Sequence, residues 1–282
     1  MRRVEIQSRP RPARCNPRFP LALAALAAAA LLASLAPSAA VAAPAQGDPA
    51  EPSPPQTQRP SGPGFAFGAP KGYFVIKAGW LLPRAESDIY TFNAEQLTLG
   101  LDSYNAPLFG MDIGVVVNDR VDVVFGFEFS STAPASEFRD FVDEFDAPIV
   151  QQTRLRQAPL TAGVRLNLVS RGRGVGNYAW VPSTVVPYVG GGGGFTWWRY
   201  EQFGDFVDFF DLTIFTDHFL TEGWAPSAHV LGGLDLSVSP RFLVNFEGRY
   251  SWASGQLAPA FTGFEPIDLA GFQVTVGAAF RF

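Results

Sequence analysis

The sequence is short of cysteine, lysine and charge. Its only cysteine is Cys15, which excludes disulfide bonds within the chain and cysteine-rich metal sites. Lysine occurs only as Lys71 and Lys77, and the formal net charge of the 282 residues is −5, which argues against a nucleic-acid-binding role. Charged residues make up 17% of the chain, below the roughly 25–35% that suits a water-exposed surface. We therefore expect part of the surface to face something other than water.

The first 42 residues have the pattern of a secretory signal peptide. Six arginines precede an apolar run at 21–35, and a segment of small residues ends at Ala42. That run is shorter than the roughly 20 residues that a transmembrane helix needs. We predict cleavage after Ala42, which removes six Arg and Glu5 and lowers the 21 basic and 26 acidic residues to 15 and 25. The exported chain is therefore acidic.

Residues 43–71 hold eight prolines among Gln, Ala and Gly. This composition buries little apolar area and predicts an extended periplasmic tether, with partner binding as the alternative. The predicted organisation is a signal peptide at 1–42, the tether at 43–71 and one β-barrel at 72–282.

Residues 72–282 contain about eight segments in which hydrophobic residues alternate with polar or small ones, the period of a β-strand. They begin near Tyr73, Leu108, Val121, Arg154, Val186, Trp224, Arg241 and Ala270. Alternation fits both a soluble barrel with an apolar interior and a membrane barrel with an apolar exterior. The second face is mostly Gly, Ala, Thr and Ser, which suits the narrow lumen of an eight-stranded barrel better than a water-exposed surface. We predict an all-β fold: a closed antiparallel up-and-down transmembrane β-barrel of eight strands.

Aromatic residues and connection lengths predict the orientation of this barrel. Aromatic residues near the segment ends match the girdles found at membrane interfaces: Trp80, Trp197, Trp198, Trp252 and Phe282. Short connections at 118–120 and 239–240 contrast with four long ones, roughly 83–107, 131–152, 199–224 and 254–270. Because outer-membrane barrels pair short periplasmic turns with long external loops, we place the long connections outside. They hold 17 of the 25 acidic residues, which would repel anionic solutes or share divalent cations with lipopolysaccharide; a plain solvated surface is the alternative.

Four short segments resemble the eight-stranded OmpA/OmpW-type outer-membrane β-barrel family: 187–195 (PYVGGGGGF), 231–236 (LGGLDL), 247–250 (EGRY) and 277–282 (GAAFRF). The resemblance covers 72–282 and implies a protein of the Gram-negative cell envelope with the barrel alone and no peptidoglycan-binding domain. It also implies that Phe280 and Phe282 form the signal read by the barrel-assembly machinery. Outer-membrane lipid and lipopolysaccharide are the other expected partners.

Nine charged residues are predicted on the inner face: Lys77, Asp112, Asp122, Glu128, Arg165, Asp235, Glu247, Arg249 and Arg281. Unpaired charges in a narrow interior are costly, so their near-balance predicts mutual pairing and a lumen without a conducting hole. The alternative is a switchable ion path in which one broken pair opens a thread of water.

The pattern F-x-D-F-V-D-x-F-D occurs twice, at 138–146 and 203–211. Apolar residues at i, i+3, i+4 and i+7 predict a short amphipathic helix on the barrel rim in each case. The phenylalanines are candidates for contact with lipid, with a hydrophobic ligand or with an external partner: Phe138, Phe141, Phe145, Phe203, Phe206 and Phe210. The alternative is that they only anchor long loops to the rim.

No catalytic residue, metal site or cofactor is predicted. Ser227-Ala228-His229 reverses the order that a lipid A deacylase-like barrel would use, and no acidic third member is apparent. The favoured function is structural or surface-interacting: stabilising the envelope, contacting lipopolysaccharide or presenting loops to external partners. A narrow channel or carrier for small hydrophobic molecules is the alternative, and a rim enzyme or a soluble ligand-binding barrel are weaker hypotheses.

Overall fold

The computed structural model describes residues 68–175 and 179–282; the predicted signal peptide and tether residues 43–67 lie outside the described residues. The described strands are β1 Gly72–Pro83, β2 Ala106–Val116, β3 Val121–Thr132, β4 Ala135–Val142, β5 Pro148–Asn167, β6 Gly172–Val175, β7 Ala179–Pro182, β8 Val185–Val207, β9 Ile214–Ser237, β10 Phe242–Gly255, β11 Ile267–Asp268 and β12 Gly271–Arg281. Helix α1 spans Asp88–Gln96, and short 3-10 helices span Leu101–Tyr104 and Pro259–Phe261. Among these residues no helix is long and apolar enough to cross a bilayer, a finding that concerns helices alone.

Eight of these strands form an antiparallel ring. β1, β2, β3, β5, β8, β9, β10 and β12 each pair with the next strand in that order. β12 then pairs back with β1, from Arg281 beside Tyr73 to Gly271 beside Pro83. The predicted up-and-down barrel of eight strands is therefore confirmed.

The apolar face of every ring strand points outward. On β12, for example, Phe272 and Val274 are exposed whereas Gln273 and Thr275 are buried. The outward apolar side chains of β10 run from Phe242 to Trp252, and ten residues at about 3.3 Å each, tilted by about 40°, give a band about 25 Å tall. This is the height of the lipid-facing band of a transmembrane barrel, and it excludes the arrangement with an apolar interior.

Two of the predicted long loops are mostly strand. β4 continues along β5 beyond the end of β3 as far as Val142, and β8 continues to Val207 before β9 returns from Ile214. The strict apolar alternation stops where the membrane band ends, because both faces of an external hairpin can be polar or partly covered. Backbone pairing needs no such alternation, so the strands run on. The fourth and sixth strand segments therefore begin earlier than Arg154 and Trp224, at Pro148 and Ile214.

The predicted amphipathic helices at 138–146 and 203–211 are wrong. Each segment is the end of a strand followed by a tight turn, at Val142 and Val207 respectively. In both turns the aspartate that follows this valine stabilises the turn through its side chain. Asp143 Oδ1 accepts a hydrogen bond from Phe145 N at 2.8 Å, and Asp208 Oδ1 accepts one from Phe210 N at 2.9 Å. The repeated pattern thus encodes two equivalent hairpin turns of the Asx type.

The opposite end of the barrel carries the short connections; we label it the periplasmic end, and the end with the long connections the external end, after the orientation predicted from the sequence. In the turn before β3, Asn118 Oδ1 accepts hydrogen bonds from the backbone of Arg120 and Val121, both at 2.9 Å. The connection from β5 to β8 is longer and contains the small hairpin of β6 and β7. The external end carries α1, β4, both 3-10 helices and the two extended hairpins.

Candidate functional site in the lumen and on the external face

A buried ion cluster occupies the middle of the lumen. Lys77 Nζ lies 2.8 Å from Asp112 Oδ2, 2.7 Å from Glu128 Oε1 and 3.7 Å from Glu247 Oε1. Arg249 lies 2.8 Å from Glu128 and 2.9 Å from Glu247. The two-residue period of β1, β2, β3 and β10 turns all five side chains inward. Two cations therefore bridge three carboxylates.

A second cluster lies nearer the periplasmic end. Arg165 pairs with Asp235, and its Nε lies 3.9 Å from Asp122 Oδ2. Arg171 Nη1 lies 2.5 Å from Asp122 Oδ1. The Arg165 guanidinium also lies over the Tyr188 ring, 3.5 Å from its centroid. Sequence reasoning missed Arg171 because it follows β5, outside the alternating segments.

Asn245 and Tyr188 link the two clusters. Asn245 Nδ2 donates to the Tyr188 hydroxyl and to Asp235 Oδ1, both at 2.7 Å. The Tyr188 hydroxyl donates to Glu247 Oε2 at 3.1 Å. The lumen charges therefore form one connected polar network along the barrel axis.

All nine predicted lumen charges point inward and are at most 8% exposed. Eight of them take part in ion pairs, and Arg281 donates to Ser237 Oγ at 3.0 Å. With Arg171 added, the inward charges described so far number five cationic and five acidic side chains, of which all but Arg281 belong to the network: Lys77, Arg165, Arg171, Arg249 and Arg281 against Asp112, Asp122, Glu128, Asp235 and Glu247. A cavity of about 20 Å³ between the clusters has room for about one water molecule.

The external mouth is filled by an apolar cluster, which we call the mouth plug: Ala85, Ile89, Tyr90, Tyr104, Leu155, Trp198, Tyr200, Ala225, Phe261, Ile267 and Leu269. Helix α1 contributes Ile89 and Tyr90, whose side chains are fully buried. The Tyr90 and Tyr104 rings meet edge to face with centroids 4.8 Å apart, and Tyr200 and Phe261 meet in the same way at 5.7 Å. The plug thus joins two external connections, β1 to β2 and β10 to β12, to the inner face of the strands.

A small polar network runs through the mouth plug. Asn93 Nδ2 donates to the Tyr104 hydroxyl at 3.0 Å and to the Tyr200 hydroxyl at 2.6 Å. Gln202 Nε2 donates to Asn93 Oδ1 at 3.0 Å. Burial raises the pKa of Tyr104 to about 12, so the phenol stays neutral at physiological pH.

Trp198 is a correction to the predicted aromatic girdle. It is 1% exposed and belongs to the mouth plug, whereas Trp80 is 56% exposed on the outer face. Trp197 and Trp198 are consecutive in β8, so they must point to opposite faces of the sheet. Trp224, which was not among the predicted girdle residues, is exposed on the outer face. Phe280 and Phe282 are also exposed outward, at the periplasmic end.

Four of the six candidate phenylalanines are held against the external structure. Phe138 is buried in a cluster that includes Leu97 of the first external connection. The Phe206 ring stacks on the ring of Phe215 across the hairpin, with centroids 5.8 Å apart. Phe141 and Phe203 are partly buried, the latter with the Arg154 guanidinium 5.5 Å from its ring centroid.

The other two candidates, Phe145 and Phe210, are 79% and 98% exposed. They lie in the hairpin tips, which we define as residues 140–147 and 205–213. Phe209, which the sequence reasoning did not select, is also exposed, and its ring lies 5.8 Å from the Phe141 ring. This contact brings the two tips together on one external surface.

The side chains of Ser227 and His229 are not joined by a hydrogen bond between Ser227 Oγ and His229 Nδ1. Ser227 Oγ and His229 Nδ1 are both buried without a hydrogen-bond partner among the described residues. His229 lies in the lumen beside Arg249 and borders the small cavity. In 68–175 and 179–282, no group of His, Cys, Asp and Glu has an arrangement that would hold a metal ion.

Comparisons with known proteins bear on the fold. No protein-family model and no curated protein matches the chain. The structure is similar to that of Neisserial surface protein A, with 12% identity and a TM-score of 0.41 over 76% of this chain and 99% of that chain. It is similar to outer membrane protein OprG of Pseudomonas aeruginosa, with 16% identity and a TM-score of 0.40 over 76% and 98%. It is also similar to outer membrane protease OmpT of Escherichia coli, with 9% identity and a TM-score of 0.38 over 76% and 98%.

These likenesses have TM-scores of 0.38–0.41 and carry no argument by themselves. Identities of 9–16% speak to the fold alone, and the eight-stranded ring rests on the strand pairing itself. Since the similar proteins include both a surface protein and a protease, no activity follows from them.

Proposed function

We propose that this protein is an integral outer-membrane barrel that does not conduct or catalyse, and whose external hairpins present an interaction surface. The observation that carries this proposal is that two groups of side chains, the paired ion network and the mouth plug, occupy the lumen. As further parts of this proposal, residues 1–42 direct export and the tether at 43–71 lies in the periplasm. The barrel-assembly machinery recognises Phe280 and Phe282 as the assembly signal. Outer-membrane lipid and lipopolysaccharide surround the apolar band.

The ion network supports a closed lumen on energetic grounds. Charged groups removed from water are stable only where partners and hydrogen bonds compensate them, and opening a path would separate such partners. Lys77 contacts three carboxylates at once, so its displacement would leave like charges facing one another in a narrow space. Above this level the mouth plug buries aromatic side chains that an open channel would have to expose.

The full chain is to be reconstituted into planar lipid bilayers after its heat-modifiable gel migration has shown that it is folded. We expect no stepwise conductance from the native protein. Lys77→Met is expected to disturb the lumen, because it leaves Asp112, Glu128 and Glu247 with Arg249 alone. Lys71→Met is the matched control, because Lys71 is exposed at the periplasmic end and is the only other lysine. Steady conductance by the native protein would refute the closed lumen and favour a channel.

A groove on the barrel wall favours the second candidate, a carrier for small hydrophobic molecules. It is an open groove of about 730 Å³, in which Pro226, Ala228, Trp252 and Pro266 contribute apolar lining and Arg84, Glu86, Glu265 and Asp268 contribute charged lining. Trp252→Ser should lower the binding of a fluorescent hydrophobic dye by the reconstituted protein if the groove is such a site. Unchanged dye binding would remove the reason for this candidate.

A further inference from the structure

The hairpin tips expose large apolar side chains to water. Phe145 and Phe210 are almost entirely uncovered, and Val142, Phe209 and Leu212 beside them are also exposed. Exposed apolar groups that cluster in this way, unlike scattered ones, are typical of interaction sites. The Phe141–Phe209 ring contact holds the two tips side by side, so the five side chains belong to one surface.

The same surface is strongly acidic. Residues 140–147 and 205–213 contain seven acidic residues and neither Lys nor Arg: Asp140, Asp143, Glu144, Asp146, Asp205, Asp208 and Asp211. The side chains of Asp143 and Asp208 accept the backbone hydrogen bonds that hold the turns, so these carboxyl groups lie within the tips. A partner that covers the phenylalanines must therefore bring positive charge to the rim of the contact.

The tips lie too far from the bilayer for their phenylalanines to rest on lipid. Ten residues separate Ile214 at the start of β9 from Trp224, which is exposed on the outer face. At about 3.3 Å per residue and a tilt of about 40°, the tip lies about 25 Å beyond that tryptophan. The headgroup layer on one side of a bilayer is only about 5–8 Å thick. The occupant must therefore approach from the external solution.

We propose that the hairpin tips bind a cationic amphipathic polypeptide, with apolar side chains against Phe145, Phe209 and Phe210 and with Lys or Arg opposite the tip carboxylates. A second copy of this chain does not fit, because two tips of the same strong charge repel each other. The anionic phosphates of lipopolysaccharide are repelled for the same reason. This inference rests on the proposed interaction role of the external hairpins and names the class of partner.

The test uses the full chain in nanodiscs of zwitterionic lipid, titrated with a fluorescently labelled amphipathic helix of lysine and leucine. A glutamate–leucine helix of the same pattern and an oligolysine are the comparison peptides. We expect the lysine–leucine helix to bind at least tenfold more tightly than either, and its affinity to fall as salt is raised. Equal affinity for the glutamate–leucine helix would overturn the proposal.

Two variants locate the site. Phe145→Ser together with Phe210→Ser should weaken binding of the lysine–leucine helix at least tenfold and leave the heat-modifiable migration unchanged, because neither side chain is packed. Asp140→Asn together with Glu144→Gln should weaken binding and reduce its salt dependence. Leu101→Ser is the matched control, because Leu101 is 49% exposed in the first external connection, outside the tips. Unchanged affinity in the double phenylalanine variant, or an equal loss in the control, would overturn the proposal.

Failure here is separable from failure of the proposed barrel function. A closed, heat-modifiable barrel that binds none of the peptides would refute the cationic partner and leave the barrel function intact. A conducting barrel that still binds the lysine–leucine helix through Phe145 and Phe210 would refute the closed lumen and leave the tip site intact.

Discussion

Arg171 Nη1 lies 2.5 Å from Asp122 Oδ1, although Arg171 belongs to the periplasmic connection and Asp122 stands at the start of β3. Asp122 is fully buried, and its other carboxylate oxygen accepts from Asn167 Nδ2 at 3.2 Å. Arg171 also donates to the backbone carbonyl of Asn118, in the turn before β3. One arginine therefore ties the periplasmic connection to the lumen and brings the lumen charges to balance.

Arg171→Met should lower the free energy of unfolding by about 2 kcal/mol. The change removes one partner of a buried pair, which typically costs about 3–5 kcal/mol when nothing else compensates the remaining charge. Here Arg165 and Asn167 still face Asp122, so we expect the smaller loss. Urea unfolding of the protein in lipid vesicles, followed by tryptophan fluorescence, measures it.

Arg173→Met is the control, because Arg173 lies on the same hairpin but is exposed. Adding Asp122→Asn to Arg171→Met should recover part of the loss, since the double change removes both charges. A control as unstable as Arg171→Met would show that the hairpin, not the ion pair, is responsible.

The glycine run 190–194 alternates between positions where a Cβ atom would overlap backbone atoms and positions where it would make a tight contact. A Cβ atom at Gly192 would lie 2.2 Å from the carbonyl oxygen of Ala162, and one at Gly194 would lie 2.0 Å from that of Leu160. At Gly193 the nearest atom, the carbonyl oxygen of Ser227, is 3.1 Å away. Gly194→Ala should therefore destabilise the barrel by about 1–3 kcal/mol, and Gly193→Ala by less than about 1 kcal/mol.

The same vesicle unfolding measurement compares these two glycine variants. Both add one methyl group to the same strand, so they differ only in the face on which the methyl group stands. Equal stabilities would mean that β5 and β8 are farther apart at this level than the structure has them. Gly192→Ala should destabilise the barrel by a similar amount to Gly194→Ala.

Much of the barrel could be predicted from the two-residue hydrophobic period of its strands alone. In β12 and β10, apolar residues alternate with polar or small ones, and this pattern indicates which side chains face the lumen. A shift by one residue would move every apolar side chain to the other face of the sheet, so only one assignment fits. Lys77, Glu128 and Arg249 could therefore be assigned to the lumen without any knowledge of their partners. Arg171 carries no such signal, since it follows the strand and reaches the lumen through the path of its side chain.

The external region could not be predicted in the same way. A helical spacing of apolar residues occurs at 138–146, yet Phe138 bridges to Leu97 and Val142 pairs with Pro148 of β5, and tertiary pairing overrides a short helical pattern. Trp198 was misplaced because a pair of adjacent tryptophans gives no sign of which one faces inward. Helix α1 was missed because its nine residues show little amphipathic periodicity.

The turn aspartates give a third prediction. Asp143→Ala removes the acceptor for the backbone N–H groups of Phe145 and Ala147, both 2.8 Å away, and should loosen the first hairpin tip. We expect cleavage by an external protease at this tip to become several times faster, while the second tip keeps its native rate. Asp143→Asn is the control, because an asparagine carbonyl can accept the same bonds. Equal cleavage of both variants would point to charge and not to the turn.

The mouth plug should weaken at alkaline pH. Burial raises the pKa of Tyr104 to about 12, whereas an unfolded tyrosine titrates near about 10. Below pH ~10 both states hold the proton and the contribution of Tyr104 to stability is complete. Between these values the unfolded chain loses its proton first, so stability falls as pH rises toward the folded pKa. The loss attributable to this group approaches about 2–3 kcal/mol.

Tyr104→Phe separates this titration from other alkaline effects. The variant lacks the hydroxyl that accepts from Asn93, so it starts with a lower stability, but it has no proton to lose at this position. Its free energy of unfolding, measured in vesicles at a series of pH values, should decline less steeply than that of the native protein between pH ~10 and ~12. Tyrosinate absorbance should show one fewer late-titrating phenol in the folded variant. Parallel declines of the two proteins would mean that Tyr104 does not carry the alkaline sensitivity, and that Tyr90, whose pKa burial also raises well above its usual value, is the group to replace next.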